Sequence, residues 1–184
     1  MTASLIDFPV QESAVDEVLT TLMNMPFFSE FTEAEMRALF DHGEIISVKG
    51  GTALFEEGDD RDIIFLLING EVEVSKKDPN GKVQLLSTLG KGAVIGDMSW
   101  ALQKKRGATI RAKKDAQLLQ LDGSTLRKAV LAGGLGATRF AYALLKIQAT
   151  RLDRMNQELL KILGGKKAGE MDHLRDNVLK GWSF

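Results

Sequence analysis

Apolar and polar positions change their period twice along this 184-residue chain. In residues 12–25, Val15, Val18, Leu19, Leu22 and Met23 recur at steps of three and four, the spacing of one helix face, and Pro26 ends the pattern. Phe27, Phe28 and Phe31 follow as an aromatic knot, expected to serve packing rather than ligand contact. Thr32-Glu33-Ala34-Glu35 has the form of a capping box and predicts a second helix that runs to about Asp41 and stops near Gly43. From Glu44 the period shortens. Ile45 to Val48, Thr52 to Glu56, Ile63 to Ile68, Glu71 to Lys76, Val83 to Ser87, Val94-Ile95, Thr109 to Ala112 and Gln117 to Leu121 read as strands. Turn residues separate them: Gly50-Gly51, Glu57-Gly58-Asp59-Asp60, Asn69-Gly70 and the hairpin signal Asp78-Pro79-Asn80-Gly81. Many short strands joined in this way predict an antiparallel jelly-roll barrel.

The helical period then returns, with a short helix from Ser124 to Leu131, a break at Gly133-Gly134-Leu135-Gly136, and a long helix from Ala137 to Leu163. Ala141, Leu145, Leu152, Met155, Leu159 and Ile162 recur in that helix at alternating four- and three-residue steps, interrupted by Gln148. A 3.5-residue period over a helix of roughly 40 Å predicts pairing with a second copy through residues 137–163, besides burial against its own barrel. The expected class is α+β, an antiparallel β jelly-roll barrel with N-terminal helices and a long C-terminal helix. The expected division is an N-terminal helix (1–25), a β-barrel domain (26–132), the long helix (133–163) and a tail (164–184).

Composition narrows the function. Hydrophobic residues make up 44% and charged residues 27% of the chain, ordinary for a globular protein, and the net charge of -1 gives no global attraction to nucleic acid or anionic membrane. There is no cysteine, which removes disulfides and thiolate metal sites and fits a reducing compartment. The first ten residues lack the form of a signal peptide, and no apolar run reaches the eighteen or so residues of a spanning helix. A cytoplasmic protein is expected, with no membrane or DNA partner. No P-loop, G-x-S-x-G or H-E-x-x-H motif occurs, His42 and His173 lie far apart, and no nucleophile–base pair or metal set is evident, so neither catalysis nor a metal is expected.

The stretch that holds recognisable chemistry is Gly96-Asp97-Met98-Ser99-Trp100-Ala101-Leu102-Gln103-Lys104-Lys105-Arg106-Gly107-Ala108-Thr109. A Gly-acid pair opens a turn of helix, and a single Arg precedes two small residues. These parts suit a small anion: free N–H groups at a turn or helix start, a guanidinium fork, and small residues that let the backbone come close. Lys104, Lys105, Arg111, Lys113 and Lys114 add a local basic excess, which reads equally as a steering field or as a solvated face.

From the order of these elements, residues 26–163 resemble the cyclic-nucleotide-binding domain, the fold of the catabolite activator protein and of protein kinase A regulatory subunits. Gly51, Gly58, Gly70 and Gly92 match the supporting glycines of that family, and Asp97 and Arg106 keep the spacing of nine residues found in the kinase regulatory subunits. The resemblance implies that Arg106 pairs with the exocyclic oxygens of a cyclic phosphate. It implies that backbone N–H groups at Gly96, Met98, Ser99, Gly107 and Ala108 complete the cradle, and that Asp97 faces the ribose 2′-hydroxyl. The family usually has Glu there, and one methylene fewer withdraws the carboxylate by about 1.5 Å. Gly107 lacks the hydroxyl that contacts guanine in cyclic-GMP-dependent kinases, which favours cyclic AMP over cyclic GMP. Tyr142, Trp182 and Phe184 are the base-cap candidates. The implied function is a stand-alone regulatory module that signals to an effector protein by rearranging its C-terminal helices. The alternative is a degenerate copy of the fold that serves interaction or dimerisation without nucleotide.

Overall fold

The structure is a computed structural model in which residues 12–164 are described. Its elements, in chain order, are helix α1 (Glu12–Met23), a 3-10 turn (Pro26–Phe28), α2 (Glu33–Phe40), strands β1 (Gly43–Val48), β2 (Ala53–Phe55), β3 (Ile63–Asn69), β4 (Val72–Lys77), β5 (Val83–Leu89) and β6 (Val94–Ile95), helix α3 (Asp97–Leu102), strands β7 (Thr109–Ala112) and β8 (Ala116–Asp122), and helices α4 (Gly123–Leu131) and α5 (Leu135–Gly164). The predicted capping box is present at α2: the Thr32 hydroxyl accepts from the Glu35 amide, and the Glu35 carboxylate accepts from the Thr32 amide at 2.8 Å.

The strands form two four-stranded antiparallel sheets, ordered β1-β8-β3-β6 and β2-β7-β4-β5. Alternation sets the layers. Phe65 and Leu67 of β3 join Leu118 and Ile95 in one core with Leu54, Phe55, Val72 and Ile110 of the other sheet. Ile64, Leu66 and Ile68, on the opposite side of β3, are buried as well, and α1, α3 and α4 all touch this strand. Burial on both faces explains why β3 reads as an unbroken apolar run rather than an alternating one.

The predicted closed barrel is not what forms. The sheets pack together but do not join at their edges. Closure would need β1 or β6 to bond with β2 or β5, yet β6 has two residues and both pair with β3, and β2 has only three. An edge strand, β5, is left exposed along nearly its whole length.

The chain divides into two compact units, residues 1–143 and 144–184. In the first, the start of α5 lies directly on α2: a Cβ at Gly136 would collide with the Glu35 carbonyl, and Arg139 pairs with Glu35 at 3.0 Å. Phe27, Phe28 and Phe31 form the expected packing cluster, with Phe140 5.4 Å from Phe27. In the second unit, α5 presents Leu145, Leu152 and Met155 to solvent.

Candidate functional site

Glycine chemistry fixes the start of the 96–109 stretch. Gly96 takes φ +89°, a left-handed conformation that favours glycine. A Cβ there would lie 2.9 Å from the Ile63 carbonyl oxygen and 2.6 Å from Arg106 Nη1. The turn therefore admits the arginine only because residue 96 has no side chain. Trp100 then anchors α3, its indole N–H donating to the Gly123 carbonyl at 2.8 Å while the ring meets Phe140 edge-on at 6.5 Å.

Arg106 is buried, with 3% of its surface exposed. Nη1 donates to the Gly96 carbonyl at 3.2 Å, and Nη2 donates to the carbonyls of Arg61, at 2.6 Å, and Ile63. The guanidinium lies over the Phe55 ring, 4.1 Å from its centroid, and Phe55 stacks in turn on Phe65. The backbone is held by the same loop: the Arg106 amide donates to Asp59 and its carbonyl accepts from Gly58, each at 2.8 Å. Among the described residues, Arg106 Nε is a buried polar atom with no hydrogen-bond partner. Burial pushes the guanidinium pKa down, opposed by the nearby Asp62 carboxylate.

Asp97 is buried too, at 7% exposure, and its Oδ1 accepts from the Met98 amide at 2.9 Å. The structure thus brings Gly96, Asp97 and Arg106 together in one corner. Ser99 and Ala108 are half-buried beside them, whereas Met98 and Gly107 face solvent. Tyr142 is on α5 with its side chain largely exposed, and Trp182 and Phe184 lie outside the described residues.

Sequence reasoning missed the supports of this corner. Phe55 reads only as a strand residue, and the Arg61 and Ile63 carbonyls have no side-chain signature. Arg127 of α4 was equally silent; it bridges Asp62, at 3.0 and 3.2 Å, and the Trp100 carbonyl at 3.2 Å.

Comparison with known proteins agrees with this geometry. The model of the family described as "cyclic nucleotide-binding domain" matches residues 45–132. A cyclic nucleotide-binding domain from Methylobacillus flagellatus superposes with a TM-score of 0.68 at 25% identity, over 81% of this chain and 84% of that one. The regulatory domain of Toxoplasma gondii PKA, solved with cAMP, superposes with a TM-score of 0.57 at 20% identity, over 64% and 45% of the two chains. Lysophospholipase nte1 of Aspergillus niger is 31% identical over 75 residues, which are 41% of this chain and only 5% of that protein's length. Over residues 45–132, just under half of its length, this chain matches the cyclic nucleotide-binding domain family.

Proposed function

We propose that the chain is a regulatory module that binds a cyclic nucleotide, cyclic AMP in preference to cyclic GMP, at the Gly96–Thr109 cassette. The observation that carries this reading is Arg106: a buried guanidinium, fixed by three carbonyls, that keeps one donor, Nε, unpartnered. A buried donor without an acceptor is costly, and a phosphate accepting from it relieves the cost. Backbone N–H groups at Met98, Ser99, Gly107 and Ala108 complete the cradle, Asp97 takes the ribose side, and Tyr142 is the base-cap candidate among the described residues. The missing hydroxyl at Gly107 supports the preference for cyclic AMP.

The output runs through Trp100. Drawing α3 toward the phosphate shifts an indole that is bonded to Gly123, the first residue of α4, and packed on Phe140 of α5. Ligand moves these helices only as far as it binds one arrangement better than the other. The exposed row Leu145, Leu152 and Met155 supports a homodimer through α5, with an effector protein reading the change. Neither DNA nor a membrane enters this reading, and no single helix among the described residues is long and apolar enough to cross a membrane.

Calorimetric titration with both nucleotides tests the site. Saturable heat with cyclic AMP, weaker heat with cyclic GMP and none for Arg106→Ala are expected; silence with both nucleotides overturns the reading. Light scattering tests the dimer, which Leu152→Asp should convert to monomer.

One observation favours a second reading. The Asp97 carboxylate folds back on the Met98 amide of its own helix. A cassette whose acid serves its own turn is what a degenerate, nucleotide-free interaction module would retain.

A further inference from the structure

Beside the cassette lies a cavity of about 230 Å³ that none of the residues between the two sheets lines. Its walls are the 60–62 loop, α3 with the segment that follows it, and Arg127 of α4. Four cations, Arg61, Lys104, Lys105 and Arg127, surround it, and the buried Arg106 forms part of its wall. Two carboxylates oppose them, Asp60 and Asp62, and Asp62 is already paired with Arg127 at 3.0 Å. Arg61 pairs with Asp59 at 2.7 Å. Lys104 and Lys105 have no carboxylate partner among the described residues. The basic character therefore concentrates on one lip of the cavity.

A second observation concerns how that lip is built. Gln103 ends α3 in the left-handed conformation, φ +51°, and is the one non-glycine residue with positive φ among those described. Glycine would adopt this conformation freely, whereas a side-chain-bearing residue is strained there by about 1 kcal/mol. The strained turn folds the chain back, so that the Lys104 amide donates to the Ser99 carbonyl at 3.1 Å and both lysines border the same hollow as Ser99 and Trp100.

Size decides which ligand. A volume of 230 Å³ equals roughly seven or eight waters at about 30 Å³ each, below the 300 Å³ or so at which pockets begin to enclose drug-sized molecules. A phosphate or pyrophosphate group fits within it. Lysine ammonium groups bind such groups as mobile point charges, and arginines bind them as forks.

We propose that this cavity is a second anion site, for a small phosphate-type anion, separate from the cassette face where Arg106 lies over Phe55. It borders Ser99 and Arg106 of the cyclic-nucleotide reading, but its ligand needs neither ribose nor base.

The test is titration of the full chain with sodium pyrophosphate at low ionic strength, followed by calorimetry and by amide chemical shifts. Saturable binding below about millimolar concentration is expected, with shifts centred on residues 60–62, 99–105 and 127. The double variant Lys104→Ala/Lys105→Ala should weaken it at least about tenfold and lower its salt dependence, with an unchanged melting temperature because both side chains are exposed. A parallel arm offers phosphatidic acid in phosphatidylcholine vesicles, which separates a lipid headgroup from a free anion. No saturation, binding unaltered in the double variant, shifts confined to Phe55 and residues 107–109, or binding only to the vesicles would each overturn the proposal. Failure here leaves titration with cyclic AMP unaffected, so the two readings fail separately.

Discussion

Arg106 and Asp97 occupy the same corner, nine residues apart in sequence, both buried, yet the protein holds them in opposite ways. Arg106 is fixed from outside its own segment: the carbonyl of Arg61 comes from the loop before β3, that of Ile63 from the first residue of β3, and the ring beneath it from β2. The described bond of Asp97 is to the next residue of its own helix. The guanidinium's direction is thus over-determined by the fold, whereas the acid's bond to the Met98 amide is local. A one-methylene carboxylate reaches the first free amide of its helix, while glutamate at the same position reaches farther.

The largest expected effect comes from breaking the over-determined half. Arg106→Ala should lower affinity for cyclic AMP about tenfold to a hundredfold, since the charge-assisted bond from the free Nε donor is lost. It should also destabilise the domain by about 2–4 kcal/mol in urea unfolding, because three carbonyls lose their donor and a buried side chain is removed. Arg106→Lys keeps the charge without the fork, and its stability should lie between the two. If Arg106→Ala leaves stability unchanged, the argument that the fold fixes this side chain fails. Gly96→Ala approaches the same half from the backbone. The left-handed φ and the Ile63 carbonyl at 2.9 Å from the new Cβ should cost about 1–3 kcal/mol, with weaker nucleotide binding because Arg106 Nη1 must move.

Asp97→Glu probes the other half and should strengthen binding of cyclic AMP about tenfold, or about 1.4 kcal/mol, with little change in stability. An unchanged affinity would place the ribose contact elsewhere; no affinity in either protein would favour the nucleotide-free module.

The contrast also explains what the sequence could and could not disclose. Features that depend on near neighbours were legible: the capping box at Thr32 and Glu35, the hairpin turn at Asp78–Gly81, and β3 as an apolar run of strand length. Features that depend on where distant segments meet were not. Alternation says which face of a strand is buried but not whether edge strands find partners, so the expected barrel closure gave way to two open-edged sheets. The carbonyls that hold Arg106 belong to Arg61 and Ile63, whose side chains say nothing about them. Trp100 and Arg127 lie 27 residues apart, and only packing puts that guanidinium 5.6 Å from the indole ring.

The smallest expected effect uses a third buried side chain, Glu35, as the longer-armed counterpart of Asp97. Its carboxylate reaches back three residues to the Thr32 amide and also accepts from Arg139 Nε at 3.0 Å. The Thr32 amide, helped by Arg139 and opposed by burial, holds its pKa below the ordinary glutamate value. A depressed carboxylate pKa stabilises the folded state fully above the unfolded value of roughly 4.3, and this contribution disappears as pH falls through the lower folded value. Glu35→Gln can still cap Thr32 but cannot ionise. Several other carboxylates, among them Asp59 and Asp122, are depressed too, so the measurement is a difference. The melting temperature of the parent should exceed that of Glu35→Gln near neutral pH, and the gap should close below about pH 4. A gap that stays constant down to pH 3 would show that this carboxylate acts through its hydrogen bond alone and not through its charge.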